Sequence, residues 1–271
     1  VMLTAKPGAD RGIYIYSNYG YVVAAAIAEQ ATGTSWEELV RVEVFVPLRM
    51  GSAGFGSAGS PDRIDVPWGH RTRDCGAIPA APGPDPELPD IMRPAGLMHA
   101  TLSDWGRFVA LHLANDSAGR GYLSNESLKT LHTPAPDSTY AMGWGVGPGS
   151  TSFWNGAVVW SHDGSDGKNY AVVTAIPSEQ AAILITCNQG GPPANDACHD
   201  VEQSISEWIR RRVPINEFTA LAAIPVATPP ANVPETGFWW QGFGTVKHLN
   251  GFSDFQGREV LAELQSLDTL V

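Results

Sequence analysis

Four strand-like runs in the second half of the chain, at 139–146, 152–160, 169–176 and 181–187, are separated only by the turn-rich stretches GPGS, HDGSDGK and PSEQ. A parallel crossover needs about a dozen residues or more, so connections this short predict an antiparallel meander. Behind it, residues 195–212 carry Val201, Ile205, Trp208 and Ile209 at helical spacing after an Asn/Asp cap, which predicts an amphipathic helix closing on that sheet. Arg210, Arg211 and Arg212 complement the dipole at its end.

The first half reads as helical. The alanine-rich run 19–32 ends at Gly33, as a buried helix with a glycine just past its C-terminus does. Ser35-Trp36-Glu37-Glu38 then opens a second helix through about Phe45, stopped by Pro47. From Gly51 to about Pro94 the composition turns to Gly and Pro, and AIPAAPGPDPELPD forbids a helix or a central strand. Helical patterning returns after Ser103 with Trp105, Phe108, Val109 and Leu113, and a shorter helix follows Ser124. Helices, then strands, then a helix indicate an α+β sheet domain with an α-helical lobe. Residues 1–212 form that domain and 213–271 an appended arm, too short and proline-rich for its own core.

Composition narrows the function classes. With 43% hydrophobic and 17% charged residues the chain is globular, and its apolar runs break well before a membrane span is reached. A formal charge of −11 argues against a nucleic-acid partner. Cys75, Cys187 and Cys198 are too few and scattered for a disulfide framework and leave the redox compartment undecided. No leader pattern opens the chain, so the expectation is a cytoplasmic, mature or truncated form.

Two clusters carry chemistry: Tyr16-Ser17-Asn18 at the front of the first helix, and SHDGSDGKNYAVV at 161–173. Together with GTSWEELVRVEVFVPLRMGS and RPAGLMHATLSDWGRF they resemble the serine β-lactamase and penicillin-recognising family, nearest its class C-like and esterase-like branch. That family combines a Ser-x-x-Lys nucleophile, a Tyr-x-Asn triplet and a Lys-Thr-Gly-like strand in which His can replace Lys. The resemblance spans roughly residues 10–212 and implies a β-lactamase-like antiparallel sheet flanked by helices. It implies Tyr16 as a proton-transfer group, Asn18 and His162 as groups facing the substrate, and Gly164 and Ser165 as substrate-binding. It implies no cofactor.

The first element is the departure. The one Ser-x-x-Lys match, Ser165-Asp166-Gly167-Lys168, lies in poor helix sequence, and the pair cooperates only when a helical turn stacks lysine beside hydroxyl. The expectation is therefore an N-terminally truncated family domain. Two routes stay open: a hydrolase of esters or phosphoesters using activated water, or a catalytically incomplete fragment or binding module completed by a separate Ser-x-x-Lys chain. For the first route His99, His162 and Asp163 are candidate zinc ligands, since zinc-bound water is nucleophilic near neutral pH. His70 is placed near the rim, His112 and His132 in packing, and His199 at a helix cap. A chain lacking part of its fold exposes apolar surface, so a homodimer is expected, with Phe238, Trp239, Trp240 and Phe243 buried.

Overall fold

The computed structural model describes residues 8–10, 12–63, 65–74, 76–85, 88–114, 122–148 and 156–211. The expected arm 213–271 with Phe238, Trp239, Trp240 and Phe243, Cys75 and residues 152–155 of the second strand-like run lie outside the described residues.

The meander forms as a four-stranded antiparallel sheet of β5 (Gly145–Pro148), β6 (Val158–Ser165), β7 (Tyr170–Ile176) and β8 (Ala181–Cys187), in that spatial order. Strand side chains alternate between faces, and here both faces are covered. On one, Trp144, Trp160, Val173, Ala175 and Leu184 pack against Trp105, Phe108, Val109 and Leu113 of α4 (Leu102–Leu113). On the other, Val159, Tyr170, Val172, Ile176 and Ile183 pack against Ala194, Cys198 and Ile205 of α6 (Pro192–Arg211). Two-sided burial explains why β7 is nearly continuously apolar rather than alternating.

Three boundaries differ from expectation. The stretch HDGSDGK, read as a turn, is strand through Ser165: the pairing of β6 with β7 runs from Trp160↔Ala175 to Ser165↔Tyr170. The turn itself is Asp166–Asn169, closed by the Asp166 carboxylate, which accepts from the backbone N–H of Lys168 at 2.9 Å and Asn169 at 2.6 Å. The first run shortens to β5, because Thr139–Gly143 is taken up in turns with Gly143 at φ 90. α6 begins at Pro192 rather than Asn195, so His199 lies inside the helix and is not its cap.

The helical pair forms as expected, except that the first is not a buried helix: only Val22 and Ala25 of it are buried. α1 (Asn18–Thr32) ends at Gly33 in the left-handed conformation with φ 70. α2 (Trp36–Val40) is capped by Ser35 and runs into one π-helical turn, Arg41–Phe45. Trp36 and Phe45 close on Phe55, with ring centroids at 5.2 and 5.4 Å. Phe55 belongs to the short β1 (Gly54–Phe55), which pairs with β4 (Met98–His99). Between them the Gly/Pro segment makes a hairpin, β2 (Gly69–Arg73) with β3 (Gly76–Ala80). Pro79 is tolerated because this two-stranded hairpin has no central strand. α3 (Arg93–Gly96) contacts α1. α4 starts two residues earlier than the Ser103 reading, capped by Thr101. Its Asp104 accepts from the N–H and hydroxyl of Ser52 at 2.7 and 2.6 Å, so the loop after the π-turn is tied to α4. Burial alone would raise the Asp104 carboxyl, but the Ser52 bonds outweigh it and hold it low.

α5 (Asn125–Leu131), capped by Ser124, places His132 beneath the sheet, stacked flat on Trp160 at 3.5 Å between centroids. Nδ1–H of His132 donates to the Leu128 carbonyl, which leaves Nε2 to accept from Nδ1 of buried His112 at 3.0 Å. Burial, aided by His132, pushes His112 down from 6.5 to about 4. A folded state that binds fewer protons loses stability as pH falls. The stabilisation is complete above pH 6.5 and is lost as pH falls towards about 4, on the order of 3 kcal/mol. Urea unfolding at pH 7.5 and 4.5 checks this, and the acid loss should be shallower in His112→Phe.

Candidate active site

Ser17 is extended, with φ −153 and ψ 113, and its hydroxyl accepts from the Gly20 N–H at 3.1 Å. The helix cap is thus the middle residue of Tyr16-Ser17-Asn18, and neither neighbour is needed to end the helix. Tyr16 is 49% exposed and its ring stands edge-on to Tyr140 at 5.4 Å and tilted to His162 at 6.5 Å. Asn18, the first residue of α1, is exposed.

His162 and Asp163 are adjacent on β6 and point to opposite faces. His162 lies on the face of α4, opposite Val173, with Nε2 at 3.1 Å from the Tyr140 hydroxyl. Asp163 lies on the face of α6 and accepts from the Tyr170 hydroxyl at 2.7 Å. Tyr170 also accepts from Asn195 at 2.7 Å and meets His199 at 3.3 Å, and His199 pairs with Glu202. This second network belongs to packing of α6 and not to the Tyr16 side.

The expected zinc set is therefore not assembled. Alternation along the strand separates His162 from Asp163. His99 is occupied elsewhere: its Nδ1–H donates to the Gly56 carbonyl at 3.0 Å. Its ring fills the space over Gly54, where an added Cβ would come within 2.6 Å of Nε2. Among the described residues no three His, Cys, Asp or Glu side chains group as metal ligands. His70, read as a rim residue, is buried and donates to the Asn188 carbonyl at 2.8 Å.

Ser165 and Lys168 do not form a catalytic pair. The Ser165 hydroxyl donates to the Asn169 carbonyl at 2.6 Å and accepts from the Gly167 N–H at 3.0 Å. Lys168 reaches Asp85 at 3.1 Å, which also binds Arg71 at 2.7 Å. Serine and lysine each hold the β6–β7 turn in place.

Two features escaped sequence reading. The first is Tyr140, hydrogen-bonded to His162 and Tyr21 and stacked on Tyr14 at 5.5 Å. Burial, then the neighbouring phenols, raise its hydroxyl well above 10. Burial likewise lowers His162, against the opposing pull of Asp163, so the imidazole is disposed to be neutral. Tyr140 stood in an expected strand, and nothing local pairs it with a histidine 22 positions away. The second is the edge of β6. Pairing with β5 stops at Gly145↔Ser161, and beyond it residues 162–165 have no strand on that side among the described residues. Backbone groups on this edge, beside His162 and next to exposed Gly164, are available to a ligand.

The beta-lactamase family model matches residues 2–205. The chain belongs to the beta-lactamase family. It is 28% identical over 188 residues to penicillin-binding protein 4 of Amycolatopsis lactamdurans, covering 65% of this chain and 47% of that protein. It is 27% identical over 143 residues to a putative penicillin-binding protein of Bacillus subtilis, covering 52% and 34%. The chain thus spans less than half the length of these relatives. Among solved structures it resembles the octameric penicillin-binding protein homologue from Pyrococcus abyssi, with TM-score 0.56, 22% identity and coverage of 78% and 46%. It also resembles a class C beta-lactamase, with TM-score 0.54, 18% identity and coverage of 78% and 61%. A D-stereospecific amidohydrolase from Streptomyces matches with TM-score 0.52, 19% identity and coverage of 65% and 50%. These likenesses are of fold. No described helix is long and apolar enough to cross a membrane.

The separation of the two networks is testable. Asp163→Ala should lower stability by about 1–2 kcal/mol through the loss of the Tyr170 bond. Thermal unfolding with the His162 tautomer by NMR as a second readout checks it: the midpoint should fall while the ring keeps its bond to Tyr140.

Proposed function

We propose that this chain forms the substrate-binding and proton-handling part of a hydrolytic site for an acyl ester or amide, with the attacking serine of a Ser-x-x-Lys helix supplied from outside these 271 residues. The observation that carries this reading is the Ser17 cap, which releases Tyr16 and Asn18 from a structural task while Tyr16 stands against His162 beside an open strand edge. The edge would hold the substrate backbone, Asn18 would donate to it, and Tyr16 would carry the proton between attacking and leaving atoms. Engagement of Ser165 and Lys168 in the β6–β7 turn supports a nucleophile from elsewhere, as does coverage of less than half of the curated relatives.

Phosphoester hydrolysis is less well supported. Phosphoryl chemistry calls for cations around the transferred group, and Lys168 and Arg71 at this end of the sheet are both engaged by Asp85. Assembly with a second polypeptide, including the expected homodimer, is supported by exposed apolar side chains on α1 and the π-turn: Tyr19 at 58%, Ile27 at 64% and Val42 at 49%.

Binding of p-nitrophenyl butyrate followed by ligand-observed NMR, with fluorophosphonate labelling in parallel, tests the proposal. Tyr16→Phe and Asn18→Ala should each weaken binding about ten-fold, the size of one hydrogen bond, and no serine of the chain should be labelled. Labelling of Ser165, or binding indifferent to both substitutions, would overturn it.

A further inference from the structure

We infer that the Tyr140 hydroxyl donates to Nε2 of His162, holding the ring neutral with its own proton on Nδ1, and that the cleft accordingly takes an uncharged acyl ester or amide in preference to a carboxylate-bearing one. The second half rests on the function proposed above; the first stands on the geometry alone.

The 3.1 Å contact between Nε2 and the Tyr140 hydroxyl can run in two directions. A phenol O–H is a far stronger acid than a neutral imidazole N–H, and an imidazole nitrogen a far stronger base than a phenol oxygen. The O–H···N direction therefore wins. A hydroxyl has one proton to donate, so this contact uses the one that Tyr140 carries. With Nε2 accepting, a neutral ring has one N–H left, on Nδ1.

The surroundings favour the neutral form. Among the described residues the titratable groups facing the ring are phenols: Tyr140 with its centroid at 6.1 Å, Tyr16 at 6.5 Å, and behind them Tyr14, stacked on Tyr140, and Tyr21 of α1. On its own strand, Asp163 turns to the opposite face and is engaged by Tyr170. Lys168 and Arg71 at the far end of β6 share Asp85. A substrate carboxylate beside His162 would meet a neutral donor instead of a countercharge. A carbonyl or hydroxyl oxygen would lose nothing by the exchange. Tyr140 is thus a positioning residue that sets which proton His162 presents.

NMR of the full chain labelled with 15N-histidine tests this directly. Of seven histidines, the His162 ring is the one whose signals vanish in His162→Gln. In the unsubstituted protein it should show the Nδ1–H tautomer at pH 7 and titrate below the ordinary histidine midpoint. In Tyr140→Phe, checked for folding by circular dichroism, the Nε2–H form should appear and the midpoint should rise. A charged ring at pH 7, or the proton on Nε2 in the unsubstituted protein, overturns the assignment whether or not the variant folds. For the substrate class, binding of p-nitrophenyl butyrate is compared with p-nitrophenyl hemisuccinate, with the neutral ester expected to bind at least ten-fold tighter. Equal or tighter binding of the hemisuccinate overturns the preference. Binding of neither ester overturns the functional reading and the substrate class with it, while the tautomer result stands separately.

Discussion

β6 is paired along most of its length with β7 but only over its first half with β5, and the candidate site depends on that inequality. Full pairing on one side fixes the register, so His162 and Asp163 are committed to opposite faces. On the other side no strand pairs with residues 162–165 among the described residues, which leaves their backbone groups open beside His162. A rigid strand with one free edge can bind an extended substrate without itself moving.

The remaining structure can be understood as support for this strand. α4 and α6 cover opposite faces through separate clusters built on Val109 and Ala175 on one side and Ile176 and Ile183 on the other. The Asp166 turn, Ser165 and the Lys168–Asp85–Arg71 group clamp the end of β6 that lacks a β5 partner. Ser17 does the comparable task for α1, ending the helix with a side chain that the site does not use.

The family resemblance is legible because it rests on residue type and order: Tyr16-Ser17-Asn18, the Gly33 to Ser52 segment, Arg93 to Phe108 and His162-Asp163-Gly164. The reading of HDGSDGK as a turn failed because polar and glycine residues weigh towards loops, whereas β7 supplies a partner that keeps His162–Ser165 extended. The zinc set looked plausible because His162 and Asp163 are adjacent in sequence, and adjacency on a strand is the arrangement that keeps two side chains apart. His99 donates to Gly56 instead, a contact that depends on the β1–β4 pairing.

By itself the sequence determined the antiparallel meander, since its connections are too short for any crossover, and the α1–α2 pair, whose caps at Ser35 and Gly33 are local chemistry. It also determined the motifs that place the chain in its family. Only the tertiary structure decided which of those residues meet. The partner of His162 is Tyr140 rather than Asp163 or His99, because that contact joins a strand to a loop 22 residues earlier, across a face set by register. Local sequence does not encode such a contact, since it exists only after β6, β7 and α4 have packed.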